Sequence, residues 1–217
     1  MPAQIVTLET AVDYVDTADS VTPTVTPQGT PGVTSYSYKL VAKNAAGKHA
    51  AAGTAGTTAT GNATLDGTNF NRLTWTPASG PTETEVASWD VYRTVGGATQ
   101  GLIGNVLAGV TTPDDTGLMG VASTAPATNN SGAGKEASVL HLDQKTIQVS
   151  GDGASFTGNV QVQGSIDGKE WENVGSAFTA GGVADVARSY GLMRANLSAL
   201  TSGAIKVLVS GTGYGGG

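Results

Sequence analysis

The residues able to do chemistry in this 217-residue chain are few and dispersed. The acidic candidates are the pair Asp114-Asp115 and the group Asp167, Glu170 and Glu172. Carboxylates gathered on a loop can ligate calcium, which takes about six to eight oxygens, or act as the acid and base of a glycosidase. Neither set has the regular spacing of a calcium loop. Asp114 and Asp115 read as side-chain turns onto their own backbone, and Glu170 and Glu172 alternate with Trp171 as the solvent face of a strand. The two histidines, His49 and His141, form no pair at metal-ligand spacing, and both read as strand-surface residues. Cysteine is absent, which excludes disulfides, thiolate metal sites and cysteine nucleophiles together. Gly164-Ser165-Ile166-Asp167-Gly168 is a hairpin end and not the strained elbow of a serine hydrolase. The expectation is a chain with no catalytic, cofactor or metal site, and not an enzyme. Three tryptophans remain as platforms for sugar stacking. Trp75 and Trp89 share faces with Leu73 and Val91, which favours core packing. Trp171 stays open between the two roles.

The elements that must position these residues are strands. Gly at 32 positions, abundant Thr and Ala, and only 13% charged residues describe short strands and tight turns. In Ser35 to Lys43, Tyr36, Tyr38, Leu40 and Ala42 alternate with Ser37, Lys39, Val41 and Lys43, a period of two that buries one face. Asn44-Ala45-Ala46-Gly47 then supplies the reversal, and a small-residue strand is expected to follow around His49 to Thr54. Leu73 and Trp75 continue an inward set, as do Trp89 and Val91. Thr22 to Pro27 reads as an edge strand, because proline cannot donate to a central ladder. Further along, Ile147/Val149, Val160/Val162, Met193/Ala195/Leu197 and Ile205/Val207/Val209 alternate in the same way. Asp167-Gly168 and Thr201-Ser202-Gly203 read as hairpin turns.

These segments divide the chain into an N-terminal arm (1–20), a first β-sandwich (21–121), a Thr/Asn/Gly linker (122–137) and a small C-terminal β-sandwich with a Gly-rich tail (138–217). In the arm, Leu8, Val12 and Val15 fall at i, i+4 and i+7, one helical face too short to fold alone. They are the candidate partner-binding residues. A formal charge of −6 argues against nucleic acid, since phosphate neutralisation needs clustered Lys and Arg. No apolar run reaches the length that spans a bilayer, and the opening residues lack the basic start and apolar stretch of a secretory signal, so neither membrane nor export by that route is expected.

Two stretches carry a family resemblance. LTWTP…SWDVYRTVGG resembles the B and C strands of a fibronectin type III or immunoglobulin-like domain, and SYSYKLVAKNAAGKHAAAG resembles the F and G strands that normally come last. Here F and G come first, as in a circular permutation or in the tail of one repeat followed by the front of another. VQGSIDGKEWENVG with MRANLSALTSGAIKVLVSG is similar to small C-terminal sandwiches of bacteriophage virion proteins. The resemblance implies an all-β structural protein of a phage particle, of capsid-decoration or head-fibre type. A tail or baseplate accessory protein and a carbohydrate-binding or adhesive module are the alternatives. It further implies assembly in the host cytoplasm, residence in the virion, other virion proteins such as the major capsid or tail protein as partners, a homo-oligomer, and a host-surface glycan as a further ligand.

Overall fold

Alternating apolar residues become strands almost throughout. The computed structural model describes residues 3–8, 14–79, 85–151, 153 and 155–213, and helix among them is confined to short 3-10 turns such as Thr17–Asp19. The strands in chain order are β1 (Ala3–Leu8), β2 (Thr24–Gln28), β3 (Thr34–Lys43), β4 (Gly56–Gly61), β5 (Phe70–Thr74), β6 (Ser88–Val95), β7 (Gly101–Leu107) and β8 (Asp114–Asp115). They continue with β9 (Ala137–Ser138), β10 (Leu142–Gly151), β11 (Thr157–Ser165), β12 (Glu172–Asn173), β13 (Gly182–Asp185), β14 (Leu192–Ser202) and β15 (Ile205–Gly213). All pairings between them are antiparallel, and the protein is all-β. The chain forms two compact units, residues 15–130 and residues 1–14 together with 131–217.

In unit 15–130 a four-stranded sheet, β4-β3-β6-β7, faces a three-stranded one, β2-β5-β8. Tyr36, Tyr38, Leu40 and Ala42 on β3 and Trp89 and Val91 on β6 meet Leu73 and Trp75 in one core, as their alternation requires. Trp75 and Trp89 stack edge to face with centroids 5.5 Å apart. Trp89 Nε1 donates to Asp19 O at 3.1 Å, so the 3-10 turn is part of the core wall. β2 is an edge strand, in keeping with Pro27.

One ion pair ties the two sheets together. Arg93 on β6 and Asp115 on β8 are both about fully buried, with Arg93 Nη1 donating to Asp115 Oδ2 at 2.6 Å. Such a pair is tolerable only when every remaining donor is met. Arg93 Nε and Nη2 reach Thr99 O at 3.0 and 2.7 Å, and Nη2 also reaches Leu118 O at 2.7 Å. Tyr38 Oη donates to the same Asp115 Oδ2 at 2.7 Å and accepts from Asn71 Nδ2 at 2.9 Å. Burial, reinforced by the Asp115 carboxylate, pushes the Tyr38 phenol far above its ordinary value, so it stays a donor. Asp115 Oδ1 closes the expected turn by accepting from Gly117 N and Leu118 N. Gly97, at φ +71, lets the β6–β7 turn lie against the guanidinium; a Cβ there would stand 2.7 Å from Arg93 Nε.

The second unit is also a sandwich, of sheets β1-β15-β10-β13 and β12-β11-β14-β9. Ile147, Val149, Val207 and Val209 of one sheet and Val160, Val162, Met193, Ala195 and Leu197 of the other share its core.

Four expectations change. The N-terminal segment is not a free arm: β1 pairs antiparallel with β15, Ala3 opposite Thr212 through Leu8 opposite Val207. Leu8, 1% exposed, belongs to the core of that unit, and Val15, fully buried, to the core of unit 15–130. Neither is an exposed partner-binding residue, because each has an intramolecular face to cover, and Val12 lies outside the described residues. The segment 122–137 is not a free linker, since its backbone is bonded: Ala52 N donates to Pro126 O, Asn130 N to His49 O, Leu197 N to Gly132 O and Gly134 N to Ala195 O. Thr201-Ser202-Gly203 is no hairpin, because β14 and β15 lie in different sheets and the turn carries the chain across the sandwich. The small-residue strand expected around His49 to Thr54 starts later, as β4 at Gly56.

Truncation of residues 1–20 removes Leu8, Tyr14 and Val15 together with the edge of a sheet. It is expected to abolish the cooperative unfolding of the 131–217 sandwich, while Leu8→Ala alone costs about 2–5 kcal/mol; denaturant melts followed by circular dichroism measure both. Arg93→Met strands the buried Asp115 carboxylate and is expected to cost about 3–5 kcal/mol. The double variant Arg93→Met/Asp115→Leu should recover part of that loss in the same melts, because no charge remains buried.

Candidate functional site

The acidic group and the open tryptophan of the sequence come together in one place. A cleft of about 400 Å³ is lined by Gly164, Ser165, Ile166, Asp167, Glu170, Trp171, Glu172 and Tyr190. Strand β11 ends at Ser165 and the chain reverses through Asp167-Gly168 before β12. That turn is built by side chains: Asp167 Oδ1 accepts from Lys169 N at 2.9 Å, and Ser165 Oγ accepts from Gly168 N at 2.9 Å. The backbone donors of Lys169 and then Glu170 hold the Asp167 carboxyl below the usual range.

Trp171 forms one wall and is fixed at two points. Its Nε1 donates to Gly168 O at 3.2 Å, and the Arg194 guanidinium from β14 sits 4.1 Å from its ring centroid. Arg194 is oriented in turn by Gln163, whose Oε1 accepts from Arg194 Nε at 3.0 Å. The floor depends on Gly164, where a Cβ would stand 2.5 Å from Tyr190 Cγ; with no side chain, β11 lets the Tyr190 ring lie directly on it.

The carboxylates are not equivalent. Glu172 accepts from the Tyr190 hydroxyl and from Arg188 Nη1 at 2.8 and 3.0 Å, and these partners, Tyr190 first, hold its carboxyl below the usual range. Burial and the bond to Glu172 push the Tyr190 phenol up. Glu170 is exposed and makes no side-chain bond or ion pair with the described residues, so it carries open acceptors of the cleft together with Asp167 Oδ2. Chemically the arrangement is an aromatic and apolar wall facing hydrogen-bond acceptors, with exposed Ile166 at its margin.

The other candidates are dispersed. Asp114 forms a two-pronged pair with Arg72, both bonds 2.8 Å, which holds the Asp114 carboxyl low, and Asp115 is the buried partner of Arg93. The His49 ring lies 3.0 Å from Ala50 O through Nδ1 and 2.9 Å from Asn130 Nδ2 through Nε2, and His141 is exposed. Trp75 and Trp89 are core residues. No group of three or more His, Asp or Glu side chains suited to a metal ion occurs among the described residues. Tyr190, Arg188 and Arg194 were not legible as site residues, because they arrive from a distant segment and carry no local spacing. No protein-family model, curated protein or solved structure matches the chain.

The depressed Glu172 carboxyl makes a titration prediction. Its folded value lies below the unfolded one, so the Glu172 contacts stabilise above the ordinary glutamate range and their contribution fades as pH falls through the depressed value. Carboxyl-detected NMR titration should place Glu172 below the ordinary glutamate range. Tyr190→Phe should move Glu172 back toward the ordinary value by more than Arg188→Gln does.

Proposed function

We propose that this chain is a structural component of a bacteriophage particle, of capsid-decoration or head-fibre type. One observation carries the reading. The order β4-β3-β6-β7 matches the G-F-C-C′ sheet of an immunoglobulin-like domain, with β5 and β8 adjacent as B and E are. The resemblance assigns F, B and C to the segments that form β3, β5 and β6, while its G segment ends at Gly53, just before β4. A single permutation does not account for β2, which precedes β3 where an A strand would follow β4. The edge strand in this reading is recruited from the other side of the F–G pair.

The fold suits the role. Two cysteine-free sandwiches need no oxidising compartment to fold, so they are compatible with assembly in the host cytoplasm and residence in the virion. Because the N-terminal segment is folded into the second sandwich, attachment to the major capsid or tail protein, and any homo-oligomer contact, uses the folded surface of the domains. A tail or baseplate accessory protein is the variant of the same reading, and an adhesive module is the alternative.

Quantitative mass spectrometry of purified particles is expected to find the chain at a fixed ratio to the major shell protein. Immunogold electron microscopy is expected to label the head, and label on the tail would transfer the chain to the accessory class. Presence in lysate with absence from purified particles would sink the structural reading.

A further inference from the structure

We infer that the cleft between Trp171 and Tyr190 binds a neutral sugar unit of a surface glycan. This goes beyond the structural role and gives the adhesive alternative a defined site. The volume, about 400 Å³, falls in the range of small-molecule sites, about 300–1,000 Å³. A pyranose presents a C–H face that packs on an aromatic ring and an equator of hydroxyls that donate to carboxylates. The cleft supplies both: the Trp171 wall and the unpaired acceptors of Glu170 and Asp167 Oδ2. The wall is preorganised, because Trp171 is pinned by its bond to Gly168 O and by Arg194 against its ring, so little side-chain freedom is lost on binding.

Charge selects among ligands. The Glu172 carboxylate is already answered by Arg188, but no ion pair engages those of Glu170 and Asp167 among the described residues, which disfavours sialylated or phosphorylated sugars. A basic peptide is the competing ligand for two free carboxylates. The cation-binding capacity of the Trp171 ring is already taken by Arg194, and a second cation beside it would meet like charge. A neutral, hydroxyl-rich ring meets neither penalty.

The test uses the full chain and two-dimensional NMR with indole and amide detection. The probes are methyl α-glucoside, methyl α-mannoside, methyl β-galactoside, sialyllactose and tetralysine. At least one neutral glycoside is expected to shift the Trp171 indole and the amides of residues 164–172, with no response to sialyllactose. Glu170→Gln, an exposed substitution that leaves the fold intact by circular dichroism, is expected to weaken that binding about tenfold, the loss of one charge-assisted hydrogen bond. Trp171→Ala should abolish it. The inference is overturned if no neutral glycoside shifts these signals, if Glu170→Gln binds as tightly as the parent, or if tetralysine alone responds. Glu170→Gln should load into particles at normal copy number. A failed glycan response therefore removes this site alone, and absence of the chain from particles removes the structural reading alone.

Discussion

The contact between Arg93 and Asp115 holds the 15–130 sandwich in register. Hydrophobic packing alone fixes the distance between two sheets but leaves them free to slide. A guanidinium on β6 whose donors must all be met specifies one placement of β8, of the 97–99 turn and of the 117–118 turn at once. β8 is only a two-residue strand, too short to be defined by its ladder to β5. The ion pair gives that strand its position, and Tyr38 extends the constraint to β3. Buried pairs of this kind add little net stability compared with apolar residues of the same size, and their value is in specifying one arrangement.

Much of the fold was legible wherever one short stretch carries its own instruction. Tyr36, Tyr38, Leu40 and Ala42 form the predicted inward face, although Ser37 and Val41 on the other face are buried as well, and the proline of β2 and the Asp167-Gly168 reversal have the predicted form. What failed were assignments that depend on a distant partner. Leu8, Val12 and Val15 have helical spacing, yet β1 is extended because the open edge of β15, about two hundred residues later, supplies its hydrogen bonds. The residues read as a linker have the composition of a flexible chain, but Asn130 and Gly132 spend their polar groups on fixed neighbours, and a Cβ at Gly132 would collide with the Leu197 carbonyl oxygen.

The candidate site divides along the same line. Asp167, Glu170, Trp171 and Glu172 are sequence neighbours and were legible as a group. Their modifiers were not: Arg194 decides which ring face is free, Tyr190 and Arg188 decide which carboxylate is engaged, and Gly164 decides whether the floor exists. Period-two patterns report which face a residue occupies, and they do not report which strand lies alongside it.

Because β1 and β15 are partners, the chain leaves one sandwich after its first strand, builds the other, and returns. Val15 and Asn129, near the points of departure and return, are joined by Asn129 Nδ2 donating to Val15 O at 2.7 Å. During synthesis the first strand emerges long before its partner, and it must wait while the intervening residues emerge and collapse. The inserted unit can therefore mature on the ribosome, bringing its own two ends together, whereas the outer one closes only when translation of the described chain is nearly complete. Synthesis through β15 is thus a precondition for closure, and products that terminate before it carry an unpaired β1 that quality-control proteases can seize.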